Sequence, residues 1–228
     1  MTALDTAELD QRRRLSRVRE RLATSRLVRG GGLLRLRMLD GGQLGGLVAD
    51  ALASHANATE SRVQSSESRG RGDPDRWLES APGGQVLNDF VSSVDMAGAL
   101  HALTGVDWTP AGPGSWSYYR SEGHHLGIHR DVAVCDLAVI TCVLDEGRSG
   151  MSGLLRVWPT RSRATPDELR RSAHGHVDLH VSAGDTVVLL GGLLPHCVLP
   201  LTVGHLRIVA PICYQPRALA TESRALSR

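Results

Sequence analysis

The chain has 228 residues, a formal net charge of +2 and an apolar share of 41%. These values are typical of a globular protein with a substantial core, and the charge balance gives no general attraction to nucleic acid or acidic lipid. All 26 basic residues are arginine, which excludes a Schiff-base lysine and a phosphate-loop lysine. We predict a single domain over 1–228 whose chemistry does not depend on lysine.

The first half of the chain, 1–110, is predicted to be mainly helical and to support the second half. Apolar residues recur there at intervals that place them on one face of a helix. The predicted elements are helices at about 5–28, 43–55 and 87–103, a half-buried strand at 33–39, and a long loop at about 57–84 with a short strand near 62–64.

From residue 115 onward, seven or eight short β-rich runs alternate with Gly, Pro, Asp and Ser. This spacing is typical of an antiparallel sandwich or barrel. We therefore predict an α+β fold, in which a cupin-like jelly roll (a double-stranded β-helix) at 115–214 is buttressed by the N-terminal helices. Thr165-Pro166 predicts the start of a helix that is either a lid or a surface connection. The tail 217–228 has little to bury.

One pattern carries chemistry: His129-Arg130-Asp131, with His196 far along the chain. Residues i and i+2 of a strand share a face, so His129 and Asp131 can be directed at one atom. Two imidazoles and one carboxylate leave three coordination positions open, as in non-haem Fe(II) oxygenases. Protein kinases also carry His-Arg-Asp, but they need an asparagine at the position of Asp136 and a lysine for the phosphates.

The wider pattern resembles the Fe(II)/2-oxoglutarate-dependent dioxygenases, in particular their prolyl-hydroxylase-like branch, over about residues 115–214. The matching motifs are the His129/Asp131 pair, the run Gly153-Leu154-Leu155-Arg156-Val157-Trp158-Pro159 with Ser152 in place of the usual first Gly, the turn Gly184-Asp185, Pro195-His196, Pro200, Gly204 and Arg207.

This resemblance implies that His129, Asp131 and His196 hold Fe(II), and that 2-oxoglutarate and O₂ are co-substrates. Arg207 would pair with the distal carboxylate of 2-oxoglutarate. It alternates with apolar neighbours and so is expected to point inward, although a charge on an edge strand facing water would show the same pattern. Tyr119 is the candidate for a further hydrogen bond to 2-oxoglutarate. Thr202 is another, unless it is only a turn residue.

The expected reaction is hydroxylation of an unactivated C–H bond in a small polar metabolite, such as an amino acid or a natural-product intermediate, with release of succinate and CO₂. The resemblance disfavours halogenation, because Asp131 is retained, but leaves desaturation, ring closure and epimerisation open. His125, which would share a face with His129 in a regular strand, Arg120 and Trp116 are the candidate substrate contacts.

Two other classes of function are weighed against the oxygenase. A metal-binding, cupin-like isomerase or sensor would use the same three ligands without needing Arg207. A nucleic-acid-binding or assembly protein would act through the arginine-rich helix, although a solvated helix face has the same composition. His174, His176 and His180 are more typical of incidental histidines than of a second metal site.

The remaining predictions concern the cysteines and the surroundings of the protein. No run is apolar enough for a membrane span and the N-terminus has no apolar signal core, so a cytoplasmic location is expected, with no nucleic-acid or membrane partner. The sequence leaves the oligomeric state open. The cysteines lack CxxC spacing and are interpreted as buried, reduced thiols: Cys135, Cys142, Cys197 and Cys213.

Overall fold

The computed structural model describes residues 3–64, 74–172 and 174–217. The helices are α1 (Ala3–Ala23), α2 (Arg26–Arg29), α3 (Gly41–Ser54), α4 (Gln85–Val91), α5 (Val94–Thr104) and α6 (Pro166–Arg171), with a 3-10 turn at His55–Asn57. The strands are β1 (Leu33–Arg37), β2 (Thr59–Val63), β3 (Arg76–Pro82), β4 (Trp108–Pro110), β5 (Ser115–Tyr119), β6 (His125–His129), β7 (Leu137–Glu146), β8 (Leu155–Val157), β9 (Val177–Leu179), β10 (Asp185–Leu189), β11 (His196–Val198) and β12 (Leu206–Pro216).

In the described ranges these strands form one curled antiparallel sheet with the order β1-β10-β7-β12-β5-β3-β6-β11-β8-β9. β2 pairs with β3, and β4 pairs with β12. Strand β3 pairs with both β5 and β6, so it joins the wide half of the sheet to the narrow half that carries β6, β11 and β8. The predicted α+β jelly roll with supporting helices is confirmed.

The first half of the chain contributes more to the sheet than its sequence indicated. The predicted loop at 57–84 is wrong in part, because β2 and β3 pair within it; residues 65–73 lie outside the described ranges. These strands are polar and do not alternate cleanly. Their side chains contact one another across the ladder instead, with Arg76 Nε donating to Ser61 Oγ at 2.8 Å and the Arg62 guanidinium 4.4 Å from the Trp77 ring centre.

Two of the predicted helices are each divided in two by a serine. Ser25 and Ser93 adopt extended backbone and accept hydrogen bonds from the Val28 and Met96 amides, which begins a new helix at each point. The apolar spacing continues across both breaks, so periodicity alone predicted a single helix. The helix predicted from Thr165-Pro166 is confirmed, with Thr165 as the N-cap.

The helices cover the outer face of the wide half of the sheet. Trp116 Nε1 donates to Asp50 at 2.9 Å, and Tyr118 Oη donates to the Ala51 carbonyl at 2.7 Å, both on α3. Because neighbouring residues of a strand point to opposite faces, Tyr119 faces the interior of the roll. We call this interior side of the sheet the inner face.

The narrow half of the sheet has its own outer layer. Trp158, Cys197 and Leu169 of α6 form a separate apolar cluster there. Alternation along β11 therefore directs His196, the neighbour of Cys197, toward the inner face.

No helix in the described part of the chain is long and apolar enough to cross a membrane. The tail predicted from 217 lies outside the described residues from 218 onward.

An ion pair fastens α1 to the roll. Asp136 is fully buried, and Arg14 donates to it through Nε at 2.7 Å while Nη2 donates to the Ala133 carbonyl at 2.6 Å. Arg13, the preceding residue, is 72% exposed and pairs with Asp10 on the same helix. At least one charge of the arginine-rich helix therefore has a structural role.

Arg14→Gln should lower the free energy of unfolding by about 3 kcal/mol, because it leaves the Asp136 carboxylate buried without its cation. Arg13→Gln is the matched control and should change it by less than about 0.5 kcal/mol. Urea denaturation followed by circular dichroism measures both. Equal, small effects of the two substitutions would show that the pair does not anchor the helix.

Candidate metal centre

The two histidines of the motif lie opposite each other on neighbouring strands. His129 ends β6, His196 begins β11, and the two are register partners. Each Nδ1 lies beside a carbonyl, Gly127 O at 2.9 Å and Leu194 O at 3.0 Å respectively. Because a carbonyl only accepts, each Nδ1 carries the hydrogen and each Nε2 presents its lone pair.

Asp131 completes the group from the segment that follows β6. Its Oδ1 lies 3.5 Å from Nε2 of His129 and 3.6 Å from Nε2 of His196. One ligand atom from each of the three residues lies within 4.8 Å of the others, and no second such group of three occurs among the described residues. Two imidazoles and a carboxylate, with both Nε2 atoms directed at one point, suit a divalent transition metal.

Burial adjusts His196 to this role. Desolvation, and to a smaller extent the neighbouring His129, lowers the pKa of His196 to about 4. The imidazole is therefore neutral near pH 7 and its Nε2 lone pair is available to a cation.

Gly191 fixes the position of the carboxylate. The Asp131 amide donates to the Gly191 carbonyl at 3.0 Å. A Cβ added to Gly191 would overlap Oδ2 of Asp131 and come within 2.9 Å of the Ala138 Cβ. A side chain is therefore excluded here by the carboxylate itself. The Gly191-Gly192 pair was a possible signal of close backbone approach in the sequence, but nothing there indicated what approaches.

Arg207 and Tyr119 are direct cross-strand neighbours on the inner face. Arg207 is only 1% exposed. Its Nη1 donates to Asp145 Oδ1 at 3.1 Å and to the Val181 carbonyl at 2.8 Å. Its Nε is buried and has no hydrogen-bond partner among the described residues. Burial raises the pKa of Tyr119, so its hydroxyl stays protonated and can donate. A buried cation with an unpaired donor suits an anionic ligand.

Asp145 was not recognised in the sequence, because it looks like an ordinary acid at the end of an apolar run. Its partnership with Arg207 follows from the register of β7 and β12, in which these two residues are directly opposite. The register of distant strands leaves no local signal in the sequence.

Three of the four weaker site predictions fall on the outside of the roll. Trp116 is buried against α3, where it donates to Asp50. Arg120 is exposed and lies with His55 and Glu79, its Nη1 2.7 Å from His55 Nε2. Thr202 is in an exposed turn, where its hydroxyl lies 3.1 Å from Ser149 Oγ. The partners that these three side chains contact lie away from the His-Asp-His group.

His125 is displaced by an irregularity that the sequence did not indicate. Along β6 and β11, His129 pairs with His196 and Leu126 pairs with Val198, so three steps on one strand match two on the other. This bulge puts Leu126, rather than His125, on the side of His129. His125 Nδ1 instead donates to the Gly123 carbonyl at 2.9 Å. The expectation of a face shared with His129 is wrong.

The prediction of four free thiols is also wrong in part. Cys142 and Cys197 are free and buried, but Cys135 and Cys213 form a disulfide across 78 residues. Cys135 precedes β7 and Cys213 lies on the neighbouring β12, so pairing of these strands brings the sulfur atoms together. Sγ of Cys135 is also 3.6 Å from Oδ2 of Asp131. The cross-link therefore holds the segment next to the Asp131 carboxylate.

Comparison with known proteins gives the fold a family context. No family sequence model and no curated protein sequence matches the chain. Solved structures do match. A crystal structure of an oxidoreductase of the 2OG-Fe(II) oxygenase family from Burkholderia pseudomallei has a TM-score of 0.61 and 11% identity, covering 87% of this chain and 90% of that one. The chain has the fold of the 2OG-Fe(II) oxygenases. The predicted resemblance is confirmed at the level of the fold.

Two further structures show how varied proteins with this fold are. A prolyl hydroxylase from Trichoplax adhaerens, in complex with a hypoxia-inducible-factor peptide fragment, has a TM-score of 0.61 and 16% identity, covering 93% of this chain and 94% of that one. The epimerase SnoN, in complex with Fe³⁺, α-ketoglutarate and nogalamycin RO, has a TM-score of 0.63 and 15% identity, covering 89% and 87%. The fold therefore does not identify the substrate.

Gly191→Ala should weaken metal binding by about 10- to 100-fold, because the added methyl group displaces the Asp131 carboxylate that the glycine supports. Mn(II) binding, followed by electron paramagnetic resonance, measures this change. Gly45→Ala is the matched control, since a Cβ there meets nothing within 4 Å, and it should leave the affinity unchanged. Wild-type affinity in folded Gly191→Ala would contradict the role assigned to Asp131.

Proposed function

We propose that the protein is an Fe(II)- and 2-oxoglutarate-dependent oxygenase that hydroxylates a C–H bond of a small polar metabolite. The observation that carries this proposal is the buried guanidinium of Arg207, with its unpaired Nε, on the inner face of a roll whose other wall bears a His-Asp-His group. An isomerase or sensor with the same three ligands would have no use for a buried cation with an open donor.

In this proposal His129, Asp131 and His196 hold the metal, and Arg207 and Tyr119 bind the distal carboxylate of 2-oxoglutarate. When bound, ferrous iron and 2-oxoglutarate supply the oxidising chemistry, in which O₂ is consumed, the keto acid is converted to succinate and CO₂, and a C–H bond is oxidised. The protein keeps His196 neutral, orients the keto acid from its far end and excludes bulk water from the interior.

Two solved structures with this fold bear on the substrate class. SnoN has this fold and was solved with nogalamycin RO, a small molecule, whereas the Trichoplax prolyl hydroxylase was solved with a peptide fragment. We favour a small molecule, as in the SnoN complex. We favour hydroxylation over halogenation because Asp131 is retained as a candidate ligand. Succinate release, screened over amino acids, natural-product intermediates and peptides, tests this choice. Release that only peptides stimulate would overturn it, and the mass of the product distinguishes hydroxylation from epimerisation or ring closure.

Arg207→Gln should weaken 2-oxoglutarate binding by about 30- to 1,000-fold, because it removes the cation for a buried carboxylate. The metal affinity should stay within about twofold, since Arg207 is not a ligand. Anaerobic titration of the Fe(II) protein with 2-oxoglutarate, followed by the visible charge-transfer band, gives the first value, and Mn(II) binding gives the second. Arg207→Lys retains the charge and should recover part of the affinity.

Arg120→Gln is the matched control, because this arginine is on the outside of the roll and its loss should leave the titration unchanged. Circular dichroism establishes that each variant is folded. If the wild-type Fe(II) protein shows no charge-transfer band with 2-oxoglutarate, the oxygenase proposal fails. Equal affinities for wild type and Arg207→Gln would leave the metal centre in place but remove Arg207 from the co-substrate site.

A further inference from the structure

The carboxylate of Asp145, directly behind Arg207, has two histidines as additional partners. His205 Nε2 lies 3.0 Å from Oδ1, and His180 Nε2 lies 2.7 Å from Oδ2. Burial would raise the pKa of Asp145, but hydrogen bonds from His180 and His205, together with Arg207, hold it below its ordinary value. Asp145 is therefore an anion. With both histidines neutral, one cation and one anion give this buried cluster a net charge of zero.

His205 has buried hydrogen-bond partners at both ring nitrogens. Its Nδ1 lies 2.6 Å from Ser152 Oγ, and the Thr202 amide donates to that same oxygen at 2.8 Å. When the ring is neutral and Nε2 carries its hydrogen toward Asp145, Nδ1 accepts the hydroxyl hydrogen of Ser152. A proton on Nδ1 would turn that buried hydroxyl hydrogen away from its acceptor, which carries a cost.

His180 is in a different position. Its side chain is 37% exposed, and in the described part of the chain its only side-chain hydrogen bond is the one from Nε2 to Asp145. Nδ1 can therefore take a proton from water while Nε2 continues to donate to the carboxylate. Of the two histidines on Asp145, His180 is the one that can become charged without breaking a buried hydrogen bond.

We propose that His180 takes up a proton when the distal carboxylate of 2-oxoglutarate binds beside Arg207. The proposal rests on the proposed function and deepens it. An added carboxylate would give the cluster a net charge of −1 in the interior of the roll, which is costly without a compensating cation. A proton on His180, in contact with the same Asp145, restores neutrality. His180 is thus a positioning residue that acts on the co-substrate through Asp145 and Arg207.

Other titratable or charged groups surround this cluster from the neighbouring strands. Tyr119 and Cys142 are on β5 and β7; burial raises the pKa of both, that of Cys142 to about 11, so neither is charged near neutral pH. Arg35 on β1 donates to the His180 carbonyl at 2.9 Å, and Asp185 on β10 accepts from the Ser182 amide at 3.0 Å. Arginine and aspartate do not ordinarily titrate between pH 6 and 9. They therefore do not supply the proton.

Calorimetric titration of the full-length, Ni(II)-loaded protein with 2-oxoglutarate at about pH 8 tests the proposal, because histidine is ordinarily neutral there. Repeating it in buffers of different ionisation enthalpy gives the number of protons exchanged. Wild type should take up roughly 0.5 to 1 proton per 2-oxoglutarate bound, and the dissociation constant should rise up to about tenfold per pH unit. Glutarate, titrated into the metal-free protein, should show the same uptake.

His180→Gln keeps an N–H donor for Asp145 but cannot be protonated. In this variant proton uptake should fall to near zero and the affinity should no longer depend on pH. His101→Gln is the matched control, because exposed His101 pairs at 2.8 Å with Asp107, a carboxylate that is itself exposed. It should behave as wild type.

The outcomes separate this proposal from the one it rests on. If 2-oxoglutarate binds wild type without proton uptake, or binds His180→Gln with undiminished uptake, the role of His180 is wrong and the co-substrate site stands. The wild-type result needs no variant to fold. If 2-oxoglutarate does not bind wild type at all, or binds Arg207→Gln equally well, the co-substrate site is wrong and the role of His180 falls with it.

Discussion

The register between β6 and β11 is the constraint on which the candidate site depends. It places His129 opposite His196, and the bulge between Leu126 and His129 directs His129 rather than its neighbour toward the interior. Carbonyl acceptors at both Nδ1 atoms then determine which nitrogen is presented. A slip of one residue would turn one imidazole to the outer layer. The three candidate ligand atoms converge because the register of two strands, the bulge and the Gly191 contact together position the side chains.

The interior combines groups from both halves of the sheet, which β3 connects. The wide half contributes Arg207, Tyr119 and Asp145, while the narrow half contributes His129 and His196. The outer face of the wide half packs against the N-terminal helices, and the outer face of the narrow half packs against α6. The residues that alternate with these outer contacts therefore point into the interior of the roll. The helical first half of the chain thus decides which residues of the strands are available for chemistry.

The sequence was sufficient to predict the fold class and the three candidate ligands, because both depend on patterns within short stretches of the chain. Strand alternation, turn residues and the His-x-Asp spacing are local. It failed where a contact between distant strands decides the outcome. The bulge that displaces His125, the disulfide between Cys135 and Cys213, and the pairing of Asp145 with Arg207 all depend on register. The burial of Trp116 depends instead on where α3 packs against the sheet. The breaks within two predicted helices were missed for a different reason, since the apolar spacing continues across Ser25 and Ser93.

The electrostatics of the interior explain why a dicarboxylate suits it. Under the proposed function, a divalent cation with neutral histidines and Asp131 has a net charge of +1, which can accept the end of 2-oxoglutarate that chelates the metal. The opposite end meets Arg207, but Asp145 already neutralises that arginine. Taken alone, this second site would attract the distal carboxylate only through hydrogen bonds. Asp145 therefore serves to orient Arg207: it accepts a hydrogen bond from Nη1 and leaves Nε available to the ligand. The positive charge of Arg207 that Asp145 neutralises is replaced by the proton on His180. An arginine without Asp145 would bind anions of many shapes. The paired arginine would favour a carboxylate at one position and make its affinity depend on pH.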